Sequence, residues 1–170
     1  QQAGFGGLVV SKELGGHGQG LYGLARACEI IGEVSASAAL CYGMHCVGAA
    51  VIGAKATDQQ KEEFLVPIAA GKHLTTLALS EPGTGAHFYF PQTQLLALSE
   101  TEYLLNGSKS FVTNGSKADS YVISTAGVDP EAARDEFSCF VLRNDTAGLE
   151  WGPEWKGLGM RGNSSRTLLL

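Results

Sequence analysis

The sequence predicts an α+β protein, in which a helical segment packs beside an antiparallel β-barrel or sandwich. Two patterns carry this. Before Gly71 apolar residues recur at spacings of three and four, whereas from Leu74 onward short β-branched and aromatic runs are cut by turn residues, with no helix between them. The length, 170 residues, suffices for one ordinary domain or two small packed subdomains with a real core.

The elements follow in chain order. Leu14 to Gly20 is a glycine-rich turn. Leu21 to about Ala54 reads as one long helix or two, with Leu24, Ala27, Cys28, Ile31 and Val34 on a common apolar face. Val34 to Ala54 carries no acid or base and is long enough on paper to span a membrane, but Ser35, Ser37, Tyr42, His45 and three glycines weaken it. A helix buried all round by other helices explains the same composition. Thr57-Asp58-Gln59-Gln60 is a capping-box pattern that opens a helix through Ala69 or Ala70. Gly71 supplies its stop, and Pro67 should kink it. Strands are expected at Leu74–Leu79, Gln92–Leu98, Tyr103–Asn106, Lys109–Thr113, Ser120–Thr125, Phe137–Leu142 and Arg166–Leu170. Asn106-Gly107 and Asn114-Gly115 mark turns, since both residue types tolerate positive φ. Val128 to Glu136 reads as a polar loop or a single helical turn, and Trp151 and Trp155, flanking a Gly-Pro turn, as β-core residues. The abrupt ends, a loop-like start and an apolar SSRTLLL finish, read as part of a longer polypeptide.

Composition excludes several functions. Twelve basic and 17 acidic residues give a net charge of −5, and 17% charged residues is light against about 25% in ordinary proteins, so a basic nucleic-acid face is not expected. The N-terminal residues lack a basic segment followed by an apolar run, so no signal or transit peptide is read there. Cys28, Cys41, Cys46 and Cys139 form no CxxC pair, which fits reduced thiols in a cytoplasmic or mitochondrial-matrix compartment and no structural metal. His17 and His45 lie apart with no carboxylate partner nearby, and there is no nucleophile elbow for serine catalysis.

Two glycine-rich segments could meet a ligand. Ser80-Glu81-Pro82-Gly83-Thr84-Gly85 lies between strands, so it is no dinucleotide-binding fingerprint, but its glycines leave backbone amides open to a planar or anionic group. A plain loop between strands has the same residues. In NGSKSFVTNG, Phe111 and Thr113 fall on one face of an extended chain and Val112 on the other, so a ring and a hydroxyl could serve a flat heterocycle. A hairpin edge is the plainer reading of that stretch.

The ordered set GFGGLVVSKELGGHGQG, QQKEEFLVPIAAGK, LALSEPGTGAHF, YLLNGSKSFVTNGSKADSYVI and WKGLGMRGNSSRTLLL resembles the acyl-CoA dehydrogenase family across nearly the whole chain. The resemblance implies that residues 1–71 are part of the N-terminal helical domain and 72–170 the middle β domain, ending before a C-terminal helical bundle. It implies FAD as cofactor, with Leu77, Leu79, Ser80, Phe111, Val112 and Thr113 along the flavin. Ser80 would stand in for the usual Thr, and Thr113 would direct its hydroxyl toward the ring's reactive edge. It further implies oxidation of an acyl-CoA thioester between Cα and Cβ, electrons passing to an electron-transferring flavoprotein, and a homotetramer or dimer. No catalytic residue is assigned in this chain, because the family's glutamate base comes from the C-terminal bundle. Glu81, Glu29 and Glu33 are read as turn or solvated residues.

One departure stands out. Ala86-His87 replaces the usual Ser-Asp, whose Ser touches the thioester, and loss of that hydroxyl contact is worth a net ~0.5–1.5 kcal/mol. Ala86 and His87 are therefore the expected substrate-side positions. The departure also supports a flavin-dependent oxidase or monooxygenase of the same superfamily; a third reading is a non-catalytic acyl-CoA-binding subunit that kept the β domain and lost the base. Arg161, in Met160-Arg161-Gly162, could brace its loop or meet an anionic ligand.

Overall fold

A computed structural model of the chain describes residues 4–127 and 136–170. The expected loop at 128–136 falls almost wholly outside the described residues. The order is three helices, α1 (Leu21–Val34), α2 (Ala36–Lys55) and α3 (Asp58–Ala69), and then eight strands. These are β1 (Thr75–Ala78), β2 (Gln94–Ala97), β3 (Tyr103–Asn106), β4 (Ser108–Val112), β5 (Ser120–Ala126), β6 (Phe137–Arg143), β7 (Glu150–Glu154) and β8 (Arg166–Leu169).

The long apolar segment is two helices. Ser35 adopts an extended backbone (φ −153°), ends α1 and caps α2, its Oγ accepting from the Ala38 amide at 3.3 Å. Leu24 is buried on α1, but Val34 is 91% exposed, because the helix ends before its last turn meets a partner. α2 has the length and composition of a membrane span, yet its His45, Cys46, Gly48, Ala49 and Ile52 are buried within the protein. It is not enclosed on all sides as expected; only one stripe is buried. Gly48 permits that approach: a Cβ there would lie 3.1 Å from the Thr76 carbonyl carbon, so a larger residue would push α2 off β1.

α3 opens with the expected capping box. Thr57 Oγ1 accepts from the Gln60 amide at 3.3 Å, and Gln60 Oε1 accepts from the Thr57 amide at 2.9 Å. Thr57→Ala is expected to cost about 1 kcal/mol in denaturant unfolding of the protein. Pro67 sits in the last turn, and Gly71 (φ +68°) turns the chain out toward β1.

The strands form three sheets, ordered β1-β5-β6, β2-β3 and β4-β8-β7, and no closed barrel exists among the described residues. One pair departs from the antiparallel expectation: β1 and β5 run parallel, Thr75 opposite Ser120 through Ala78 opposite Ile123. Both strands are buried along almost their full length because both faces are covered. Leu77 and Val122 join Ile52, Leu65 and Ile68 in a core against the helices, while Ala78, Tyr121 and Ile123 join Val112 and Leu168 in a core between sheets. β7 is absent from the sequence expectation because Gly152-Pro153 reads as a turn. It is an edge strand, where a proline's missing amide costs little. Trp151 does pack against Tyr121, the rings tilted with centroids 4.9 Å apart, but Trp155 is 44% exposed and fills no core.

Side chains and a few backbone groups seam helices to sheets. Asn114 Nδ2 donates to the Cys41 carbonyl at 3.2 Å, and the Gly162 amide donates to Ser37 Oγ at 3.3 Å. Arg143 pairs with Glu63 and lies 5.2 Å above the Phe64 ring. His45, on α2, reaches both the Gly6 carbonyl and the Thr75 amide.

Candidate functional site

Where β1 leaves its sheet, Leu79-Ser80 runs into the Glu81–Ala86 turn and comes alongside β4. The Ser110 amide donates to the Ser80 carbonyl at 2.7 Å. Between these segments lies a cavity of about 160 Å³ lined by Leu77, Ala78, Leu79, Ser80, Ser110, Phe111 and Val112, with Met44 of α2 and Phe88 completing it.

Local geometry explains why Phe111 is there. The β4–β8 ladder pairs Lys109 with Leu168 and Val112 with Arg166 but shifts register between them, leaving Ser110 and Phe111 in a bulge. Phe111 takes a left-handed backbone (φ +55°), uncommon for a bulky residue, and its ring is 58% exposed with an edge toward Trp155 at 5.7 Å. The strict alternation expected for 111–113 therefore fails: Phe111 and Val112 both line the cavity, and Val112 and Thr113 are both buried.

The chain thus gathers Leu77, Leu79, Ser80, Phe111 and Val112 around one space, while Thr113 is buried and does not line it. Ala86 and His87 lie outside it and are exposed. His87 stacks on Phe90 (centroids 6.2 Å, 21°) and meets Tyr89 edge-on, so the ring is engaged within its own turn. Met44, Phe88 and Ser110 were not legible as lining residues, although the aromatic run Phe88-Tyr89-Phe90 is conspicuous in the sequence. Nothing local marks Met44, which arrives from a helix on the far side of the chain.

Glu81 is not solvated. It is 7% exposed, and its carboxylate accepts from Thr93 Oγ1 at 2.6 Å, the Thr93 amide at 3.1 Å, the Gln92 amide and Lys109 Nζ. Lys109 is fully buried and also donates to the carbonyl and hydroxyl of Ser124. Burial drives the Glu81 carboxyl upward, but the Lys109 ammonium, Thr93 and Gln92 outweigh it and hold the group below its ordinary value. Glu29 pairs with Arg26 on the exposed face of α1, and Glu33 is exposed. Arg161 Nε donates to the Gly157 carbonyl at 2.8 Å, so it braces its own loop. Among the described residues no cluster of three or more His, Cys, Asp or Glu could hold a metal.

The cavity's chemistry is that of a flat, largely apolar ligand: aliphatic and aromatic walls with hydroxyls at Ser80 and Ser110. Comparison with known proteins bears on which one. The family model described as acyl-CoA dehydrogenase, N-terminal domain, matches residues 1–72, and that described as acyl-CoA dehydrogenase, middle domain, matches residues 76–170. The chain is 32% identical over 169 residues to the short-chain-specific acyl-CoA dehydrogenase of Clostridium acetobutylicum, covering 99% of this chain and 44% of that protein. The structure of an acyl-CoA dehydrogenase complexed with FAD from Bacillus anthracis matches with TM-score 0.85 and 31% identity, over 99% of this chain and 28% of that one. A chain from the structure of the electron transferring flavoprotein of Acidaminococcus fermentans, solved toward a mechanism of flavin-based electron bifurcation, matches with TM-score 0.89 and 30% identity. That match covers 98% of this chain and 44% of the other. The chain spans less than half the length of the curated relatives it matches.

Proposed function

The chain belongs to the acyl-CoA dehydrogenase family, and on that premise we propose that it contributes the flavin-facing wall of an FAD-dependent enzyme. That enzyme removes hydrogen from Cα and Cβ of an acyl-CoA thioester and hands the electrons to an electron-transferring flavoprotein. The observation that supports this most directly is the cavity between Leu79-Ser80 and Ser110-Val112, with Phe111 held in place by a bulge.

The residues present fit FAD. Leu77, Leu79, Met44 and Val112 offer apolar surface to a tricyclic ring, Phe111 offers an aromatic face or edge, and Ser80 offers a hydroxyl to a ring heteroatom. When bound, the flavin supplies the hydride acceptor for the bond between Cα and Cβ. The chain's own part is to bind and orient that ring, and to exclude water from one side of it with apolar walls. It supplies no assigned base; none of Glu29, Glu33 or Glu81 reaches the cavity, and Glu81 is committed to Lys109. The alternative of a flavin-dependent oxidase or monooxygenase has the exposed Ala86-His87 turn in its favour.

The four free thiols support a reducing compartment, bacterial cytoplasm or mitochondrial matrix. We also propose that the enzyme is a homo-oligomer.

The test is a visible spectrum of the protein expressed from its native gene, before and after anaerobic addition of a mixed acyl-CoA set. Flavin bands that bleach are the expected result. Flavin that stays oxidised with every acyl-CoA but turns over oxygen with another substrate would favour the oxidase reading, and a folded protein without flavin would overturn the assignment. Phe111→Ala is expected to remove about 0.5–1.5 kcal/mol of ring packing and so weaken FAD binding about two- to tenfold, read by titration of the apoprotein.

A further inference from the structure

We propose that the buried Glu81–Lys109 pair is a positioning device for the cavity, setting the separation of its two walls and so the fit of the ring between them. The inference rests on the reading that this cavity holds the flavin.

The two walls belong to different sheets. Leu77–Ser80 continues β1, which pairs with β5, while Ser110–Val112 lies in β4, which pairs with β8. No ladder joins them, and among the described residues the one direct backbone link is the Ser110 amide on the Ser80 carbonyl. A single hydrogen bond is a weak gauge for a cavity. The ion pair lies next to it in the chain on both sides. Glu81 follows Ser80, and Lys109 precedes Ser110, so whatever fixes these two side chains fixes the walls.

They are fixed thoroughly. The carboxylate takes four hydrogen bonds, from Lys109, Thr93 twice and Gln92, and the ammonium makes three, to Glu81 and twice to Ser124 of β5. The network thereby ties both walls to the head of β2 and to the central strand β5.

Stability alone does not account for the pair. Removing two charges from water is costly, and well-packed apolar residues of equal volume are often as stable or more so. A core that needed only cohesion could hold a methionine and a leucine here. What the pair supplies is direction: fixed lengths and angles between two segments that no sheet holds in register. Glu81 and Lys109 act through their neighbours Ser80 and Ser110, and neither lines the cavity.

The test uses the protein from its native gene. Glu81→Gln with Lys109→Met removes both charges together and leaves no unpaired ion. The double variant is expected to fold with a thermal midpoint near that of the wild type, yet to bind FAD about tenfold more weakly and to give a blurred or shifted flavin absorption band. If the folded double variant binds FAD with wild-type affinity and spectrum, the pair is only structural and the proposal falls. Should that variant fail to fold, Glu81→Asp carries the test, since it keeps both charges and shortens one arm by a methylene. Its expected effect is a shifted flavin spectrum and about two- to tenfold weaker FAD binding, and wild-type values would overturn the proposal. Wild-type protein that folds without FAD would instead overturn the reading of the cavity, and this inference with it.

Discussion

Lys109→Met alone is expected to lower the unfolding free energy of the protein by about 3–5 kcal/mol, because it strands the Glu81 carboxylate in a site closed to water. Thr93 and Gln92 still donate to that carboxylate, but its counter-charge is gone. The pH dependence follows from the same contacts. In the wild type Glu81 is held below its ordinary value of 4.5, against the upward push of burial. A carboxyl depressed by folding contributes stability above its unfolded value and loses it as pH falls through the folded one. Without Lys109 the upward push of burial is less opposed, so the acid-side loss shrinks, and it turns into a gain once the folded carboxyl lies above its unfolded value. Urea unfolding at neutral pH and between about pH 3 and 5 reads both effects. A Lys109→Met midpoint and slope equal to the wild type would show that the pair carries no such load, while the neutral double variant is expected to recover most of the loss.

His45→Leu is expected to cost about 2–6 kcal/mol. The leucine fills the space but leaves the Gly6 carbonyl and Thr75 amide without a partner, at about 1–3 kcal/mol each. In the wild type Nε2 lies 3.0 Å from the Gly6 carbonyl and Nδ1 3.1 Å from the Thr75 amide, an arrangement that the neutral tautomer protonated at Nε2 satisfies on both sides. Burial holds this imidazole below its ordinary 6.5, although the Gly6 and Thr75 carbonyls near its two nitrogens pull the other way. The unfolded chain therefore binds a proton that the folded chain refuses, and stability falls as pH drops from about 6.5 toward the depressed value. His73, lowered first by burial and then by Arg143 and His45, adds to the same slope. Stability measured between about pH 7.5 and 5.5 should fall for the wild type and fall less for His45→Leu. Equal slopes would remove His45 as a source. Because the side chain joins the N-terminal loop, α2 and the start of β1, the variant should also loosen residues near Gly6 in hydrogen exchange.

What the sequence determined by itself is what a few neighbouring residues can decide. The start of α3 was readable because Thr57 and Gln60 satisfy each other's backbone across one turn, and its end because Gly71 alone accepts positive φ there cheaply. Tyr103–Asn106 was readable to the residue, but the turn expected at Asn106-Gly107 does not form: neither residue has a positive φ, and Gly107 is a single-residue link into β4, which pairs in another sheet. The local pattern of the Ser80 and Phe111 segments read as a plain loop and a hairpin edge; the family resemblance picked them out, and the structure brings both to one cavity. The tertiary structure decided everything that depends on which distant segments share a desolvated space. The parallel pairing of β1 with β5, the survival of β7 despite Pro153, the exposure of Trp155 and Val34, and the arrival of Met44 at the cavity leave no local mark. Glu81 is the clearest case. A glutamate in a Pro-Gly turn reads as solvated, and only the approach of Lys109, 28 positions away, gives the buried carboxylate a counter-charge. Caps and turns are set by backbone geometry within a few residues, whereas burial is a property of the assembled chain, and in this protein burial is what shapes the cavity.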